Sequence, residues 1–126
     1  MTPTIVAAAV IEQSGCVLVT RRRMGTHLGG FWEFPGGKCD PHESVTACVA
    51  RELREELNVE VSVGSELLAT TYDYADRRIE LHFLRCELVG EPVPQLGQQM
   101  RWVPKNELKT LPLPPADAEL VRLLSG

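Results

Sequence analysis

No stretch of this chain approaches the roughly 20 consecutive apolar residues that a helical membrane span requires, so no membrane association is expected. The N-terminus also lacks a charged region followed by a long apolar segment and a cleavage site, which points away from secretion. Basic residues are the minority, with 13 Lys and Arg against 17 Asp and Glu and a net charge of −4. Nucleic-acid surfaces are normally basic. The one concentrated basic run, Arg21-Arg22-Arg23, is too short to form such a surface. The cysteines, Cys16, Cys39, Cys48 and Cys86, form no CxxC pair and no metal-ligand spacing. They read as reduced thiols in a cytoplasmic protein. Repeats, low-complexity tracts and linkers are missing too, and 126 residues suit one domain built on one core.

What is present is a series of short apolar segments punctuated by turn residues. Thr4 to Glu12, rich in Val, Ile and Ala, reads as a buried strand. Gln13-Ser14-Gly15 reads as a turn, and Cys16 to Arg22 as the returning strand of a hairpin. Gly25 to Gly30 is a Gly-rich loop that leads into the aromatic segment Phe31-Trp32-Glu33-Phe34-Pro35. Val59 to Val63, Leu67 to Tyr74 and Ile79 to Val89 read as extended, with a turn at Asp76-Arg77. Gly90 to Gln98 is a loop, Arg101 to Val103 a short strand and Pro104 to Leu108 a helical turn. Pro115 opens a final helix in the favoured first-turn position. Strands with one helix between them and another at the end predict an α/β fold, a mixed sheet held between helices.

The richest segment is Gly36 to Val59, GGKCDPHESVTACVARELREELNV. Val45, Val49, Leu53 and Leu57 recur every four residues, the stripe of a helix from about Ser44 to Leu57 packed on a sheet. Asn58 stands where that helix would stop, and Asn tolerates the left-handed conformation of many helix ends. At 100° per residue, Glu52, Glu55 and Glu56 fall within roughly a 100° arc. Like charges at such spacings repel by a few tenths of a kcal/mol per pair, so stability alone does not explain the arrangement. A solvated acidic face with ion pairs such as Arg51–Glu55 is one reading. The other is a site for a hard divalent cation, which wants oxygen ligands. The Gly-Gly turn before the helix favours the latter, because a backbone free of Cβ atoms can approach a ligand.

Gly37, Glu43 and the run Arg51-Glu52-Leu53-Arg54-Glu55-Glu56-Leu57-Asn58-Val59 together resemble the signature box of the Nudix hydrolases. Asn58 departs from the pattern, standing where the family normally has Gly. The resemblance implies an α/β/α sandwich with a mixed sheet and a single domain over residues 1–126. It also implies a site in which Glu52, Glu55 and Glu56, with the Gly37 carbonyl, bind Mg²⁺ or Mn²⁺. Glu52 matches a general base or metal ligand, Arg51 an arginine that orients the glutamates, and Glu43 its partner. The chemistry is self-consistent: a metal ion inverts the charge of the acidic cluster, lets it bind a diphosphate and activates water. Phosphoryl substitution then requires positioning and charge neutralisation more than covalent chemistry.

Thr20-Arg21-Arg22, Trp32 to Gly37 and Leu113-Pro114-Pro115-Ala116-Asp117 resemble the MutT-type subgroup, which hydrolyses nucleoside triphosphates. Arg22 matches a phosphate-contacting arginine, a role suited to a bidentate guanidinium; it could equally be an exposed strand-end arginine. Phe34 and Tyr74 are candidates to line a base pocket or to belong to the core. Asp117 stands where enzymes of oxidised guanine commonly place an Asn that reads the base. An ionised Asp only accepts hydrogen bonds, so it would favour an amine or ring N–H on the base; alternatively it caps the last helix. Leu96 occupies a position where the subgroup usually has a further glutamate, so that this supplementary ligand is missing, replaced by water, or supplied from elsewhere, such as Glu91.

These readings converge on a Mg²⁺-dependent pyrophosphohydrolase that splits a nucleoside triphosphate into monophosphate and pyrophosphate. An 8-oxo-dGTP-like substrate, as in nucleotide-pool sanitation, is the first expectation. The alternatives are the same chemistry on CTP, dCTP or a 5-substituted dCTP, and a non-catalytic nucleotide-binding module. The expected partner is the small-molecule nucleotide, and the expected state a monomer or homodimer.

Overall fold

A computed structural model describes residues 2–126 except His27. Its centre is β1 (Thr4–Gln13), which pairs in parallel with β6 (Arg77–Val89) from Thr4↔Ile79 to Ile11↔Cys86. β5 (Glu60–Tyr74) runs antiparallel to β6, while β4 (Gly36–Lys38) runs antiparallel along the other edge of β1. The far end of β1 turns into β2 (Cys16–Arg21), which is flanked by β3 (Trp32–Glu33) and β7 (Met100–Pro104). The result is one mixed sheet of seven strands among the described residues.

Strand alternation divides β1 between two cores. Ala7, Ala9 and Ile11 face one side, where Leu18, Leu84 and Cys86 join Cys48, Val49, Leu53 and Leu57 of α1 (Val45–Leu57). Ala8 and Val10 face the other side, with Val17, Val19, Phe34, Phe83, Leu108 and Leu120. Two 3₁₀ segments (Lys105–Thr110 and Pro115–Asp117) and α2 (Ala118–Ser125) close that second layer. The arrangement is an α/β fold with helices on both faces of the sheet.

Burial explains why α1 forms despite its acidic face. Val49, Leu53 and Leu57 are fully buried. Each such side chain contributes about 1.5–3 kcal/mol, against a few tenths for each like-charge pair. Ser44 caps the helix, its Oγ accepting a hydrogen bond from the Ala47 amide at 3.1 Å. Asn58 ends it in the left-handed conformation, φ 49° and ψ 43°, with its amide donating to Arg54 O.

Three local expectations change. The Gly36-Gly37 turn is instead the short strand β4, because a Cβ on Gly36 would lie 2.1 Å from Ala7 O and only glycine permits that close pairing. The two extended pieces either side of Gly64 are one strand, with register shifts between Val63 and Leu68 absorbing the irregularity. The β5–β6 turn falls at Ala75-Asp76, since Arg77 already pairs with Tyr74. The Gly25–Gly30 loop is made of turns, apart from His27, which lies outside the described residues. Among the described residues no helix is long and apolar enough to cross a membrane.

On the sheet, His82 sits between two carboxylates, Nδ1 at 2.5 Å from Glu66 Oε1 and Nε2 at 2.7 Å from Glu80 Oε2. Partial burial opposes the imidazolium charge, but hydrogen bonds to Glu80 and Glu66 outweigh it and raise the pKa. A raised folded-state pKa contributes stability that is fully present below the unfolded value and is lost as pH rises through the folded one. His82→Gln should therefore lower Tm most near about pH 6, with the gap from the parent narrowing towards about pH 9. Melting curves across that range check this; a gap independent of pH would mean the ion pairs contribute nothing.

Candidate active site

One helix, one edge strand and one arginine build the acidic cluster. α1 presents Glu52, Glu55 and Glu56, and β4 brings Gly37 against them. A Cβ at Gly37 would lie 2.5 Å from Glu52 Cδ and 2.6 and 2.8 Å from its carboxylate oxygens. Glycine thus lets the Glu52 carboxylate rest directly on the strand backbone. Arg51 holds the arrangement from behind. Its Nε and Nη2 donate to the two oxygens of Glu43 at 2.8 and 3.0 Å. Nη1 reaches Glu52 Oε1 at 3.1 Å and Glu55 Oε2 at 3.2 Å, and Nη2 also donates to Lys38 O at 3.0 Å. The Arg51 hydrogen bonds and the Asp40 amide lower the Glu43 pKa to about 2.

Glu52 and Glu56 are compensated less fully. Burial pushes the Glu56 pKa well above the ordinary carboxylate range, and the nearby Glu33 and Glu52 charges add to the effect. Burial also raises Glu52, with Arg51 working against the rise. A half-buried cluster of oxygen donors that resists its own negative charge is chemically suited to a hard divalent cation. Glu52, Glu55 and Glu56, with backbone oxygen at Gly37, could supply its ligands, although the three carboxylates do not all lie within 4.8 Å of one another.

Beside the cluster opens a cavity of about 560 Å³. Its walls include Gly37, Glu52, Glu55, Glu56, Arg22, Phe34, Tyr74 and Asp117, so the fold brings together every candidate from the sequence except Arg51 and Glu43, which support it from outside. Phe34 serves both readings: it is buried, packs edge-on against Phe83 at 5.9 Å, and lines the cavity. Tyr74 stacks obliquely on Tyr72 at 4.9 Å, and burial, reinforced by Asp117, raises its phenol pKa. Arg22 Nη1 pairs with Glu33 Oε1 at 2.9 Å.

Asp117 lies at the N-terminus of α2 but makes no side-chain capping bond there. It is 6% exposed and lines the cavity. Burial, with Glu33 adding to it and Arg22 opposing, lifts its pKa to about 7. Leu96 stands half-exposed at the cavity wall, whereas Glu91 does not line it. The Leu96 loop is tied to the end of α1: Val93 N donates to Leu57 O at 2.7 Å, Gln95 N to Glu56 O at 2.9 Å, and Gln98 Nε2 to Glu56 O at 3.1 Å.

Among the cavity residues that sequence reasoning passes over are Glu33 and Arg77. Glu33 is masked by its aromatic neighbours, although it follows buried Trp32 on the strand and so faces the other side. Arg77 looks like an ordinary turn residue, yet its Nε is buried without a hydrogen-bond partner among the described residues and its side chain lines the cavity.

A model of the NUDIX domain matches residues 6–123. The chain belongs to the Nudix family. It is 36% identical over 117 residues to the CTP pyrophosphohydrolase of Escherichia coli, covering 92% of this chain and 87% of that protein. With the 8-oxo-dGTP diphosphatase of Haemophilus influenzae it shares 35% identity over 122 residues, 94% and 89% of the two chains. The solution structure of the E. coli ORF135 protein superposes with a TM-score of 0.87 at 35% identity, covering 97% of this chain and 88% of that one. Nudix hydrolases generally use a divalent metal, in keeping with the oxygen donors grouped here.

Adding a methyl group at Gly37 would displace Glu52. Gly37→Ala is expected to weaken Mn²⁺ binding about tenfold or more, with the fold retained. Titration followed by electron paramagnetic resonance checks this; unchanged Mn²⁺ affinity would separate the Gly37–Glu52 contact from ion binding.

Proposed function

We propose that this Nudix chain is a Mg²⁺-dependent nucleoside triphosphate pyrophosphohydrolase, yielding a nucleoside monophosphate and pyrophosphate, with 8-oxo-dGTP as its leading substrate. The observation that carries the reading is continuity. One cavity joins the Glu52–Glu55–Glu56 cluster to the aromatic and acidic walls at Phe34, Tyr74 and Asp117. Its volume of about 560 Å³ lies within the range of roughly 300–1,000 Å³ typical of small-molecule sites.

Each residue then has a task. The three glutamates and Gly37 O would hold the metal, which would neutralise phosphate charge and make a bound water more acidic. Arg51 fixes Glu52 and Glu55 in place through its own bonds to Glu43 and Lys38 O. Glu52, which rests on the β4 backbone, would accept the proton of the attacking water. Arg22 binds phosphate oxygens, exchanging part of its pairing with Glu33 for a stronger anion. Phe34 and Tyr74 offer aromatic surface to the base. Asp117 reads its edge. As a group that titrates near pH 7, it donates and accepts when neutral, much as an Asn would, and only accepts when ionised.

That acidic base reader also favours a second reading, hydrolysis of CTP, dCTP or a 5-substituted dCTP, because cytosine presents an amino donor. The relative named CTP pyrophosphohydrolase supports it. A non-catalytic binding module is disfavoured by the complete set of glutamates.

Pyrophosphate release from a panel of nucleoside triphosphates, with Mg²⁺ and with EDTA, tests the reading; no metal-dependent turnover of any nucleotide would overturn it. Glu52→Gln should reduce kcat by about a hundredfold or more with little change in Tm. Near-parental turnover would remove Glu52 from the chemistry.

Asp117→Asn tests the base reader. Because the folded-state pKa is raised, the native state gains from a neutral Asp117 at low pH and loses that gain as pH rises through about 7. The Tm advantage of the variant over the parent should therefore grow from about pH 5 to about pH 8. The ratio of kcat/KM between 8-oxo-dGTP and dCTP should vary with pH in the parent and flatten in the variant. A ratio that responds neither to pH nor to the substitution would take Asp117 out of base selection.

A further inference from the structure

Three side chains outside the nucleotide cavity meet behind the glutamate helix. Cys39 follows β4, held by its amide bond to Ile5 O at 2.8 Å. Glu43 precedes α1, and Cys48 lies in its first turn. Spacing along the chain shows no metal pattern, yet the two sulfurs and a Glu43 carboxylate oxygen all lie within 4.8 Å of one another. Cys48 is buried, whereas Cys39 and Glu43 are partly exposed, so the cluster has an inner sulfur and an outer, accessible side.

The donor set differs in kind from that of the neighbouring site. The glutamates and Gly37 O offer oxygen alone, which suits Mg²⁺; two sulfurs and a carboxylate suit a softer ion. Three protein ligands with a fourth position left to water is an arrangement that zinc accepts. We propose that Cys39, Cys48 and Glu43 form a second metal site, selective for a thiophilic divalent cation such as Zn²⁺, whose occupation inhibits the hydrolase. Binding would form two sulfur–metal bonds and one oxygen–metal bond, and the two thiol protons would pass to solvent.

A reversible disulfide is the rival use of two adjacent thiols, and the surroundings argue against it. Burial pushes both thiol pKa values up, so neither supplies the thiolate that attacks an oxidant. A metal ion must displace the same protons, so its affinity rises with pH, and the sulfur–metal bonds formed on binding offset the cost of deprotonation.

Inhibition follows from shared partners. Both Glu43 oxygens serve Arg51, at 2.8 and 3.0 Å, and Arg51 in turn holds Glu52 and Glu55. Cys48 Sγ donates to Gly37 O at 3.6 Å, the carbonyl proposed to face the catalytic ion. A cation that takes Glu43 and Cys48 withdraws support from both sides of the cluster. This inhibitory part rests on the hydrolase reading; the existence of the site does not.

Cobalt separates the two. Co²⁺ added to the reduced, Mg²⁺-free protein should give a near-ultraviolet thiolate-to-cobalt charge-transfer band that saturates at one ion per chain and is bleached by Zn²⁺. Cobalt on the glutamates gives no such band. Cys39→Ser, a change at a partly exposed position, should abolish the band, as should Cys48→Ser where it folds. Zn²⁺ should inhibit Mg²⁺-dependent turnover of the parent, and Cys39→Ser should need at least about tenfold more for the same effect, with its basal turnover unchanged. A reduced parent that shows no thiolate band, or a band undiminished in Cys39→Ser, overturns the site. A band accompanied by equal zinc sensitivity in parent and variant overturns the inhibitory link. If no nucleotide is turned over at all, the spectroscopic arm alone decides the site.

Discussion

A single guanidinium organises this molecule's chemistry. Arg51 carries one positive charge and spreads it over Glu43, Glu52, Glu55 and a backbone carbonyl. Without it, carboxylates three and four residues apart on one helix would repel and turn towards water. With it, they are held half-desolvated and still short of positive charge. That deficit is what would draw a cation to the site, since the protein neutralises its acidic cluster only in part. The planar fork of arginine matters here, because a lysine ammonium could not serve Glu43 with two parallel bonds while reaching Glu52 with a third nitrogen.

Much of the framework was legible in the sequence, and the reasons are physical. The four-residue spacing of Val45, Val49, Leu53 and Leu57 defines α1 because only a helix can bury all four together. Asn58 marked its end because few residues tolerate positive φ. The carboxylates could be grouped because helical geometry is rigid enough to compute. Harder to read was anything that depends on distant segments meeting. The strand at Gly36–Lys38 exists only because Ala7 and Ala8 lie alongside it. Glu33 and Arg77 gain significance from the cavity they share, which no local pattern encodes. Cys39 and Cys48 are nine positions apart in no recognisable motif until β4 and α1 pack.

The residues that depart from the family pattern lie where the structure can absorb them. Asn58 adopts the left-handed cap that a glycine would supply more cheaply. Asp117, freed from a capping role, becomes a buried acid whose ionisation is set by burial and by Glu33. Base recognition would then rest on a proton and not on a fixed amide, so one residue offers two hydrogen-bonding faces. Arg22 balances this end of the cavity, pairing with Glu33 while bordering the space a phosphate would fill.

The loop that carries Leu96 is fastened to the last turn of α1 largely by its main chain, through the amides of Val93 and Gln95. Such fastening is indifferent to side-chain identity. Position 96 can therefore exchange an acid for a hydrocarbon without disturbing the helix beside it, whereas adding or deleting one residue between 93 and 95 would pull directly on Glu56. Within this scaffold, the lettering of that loop is free to drift over evolutionary time, but its length is not.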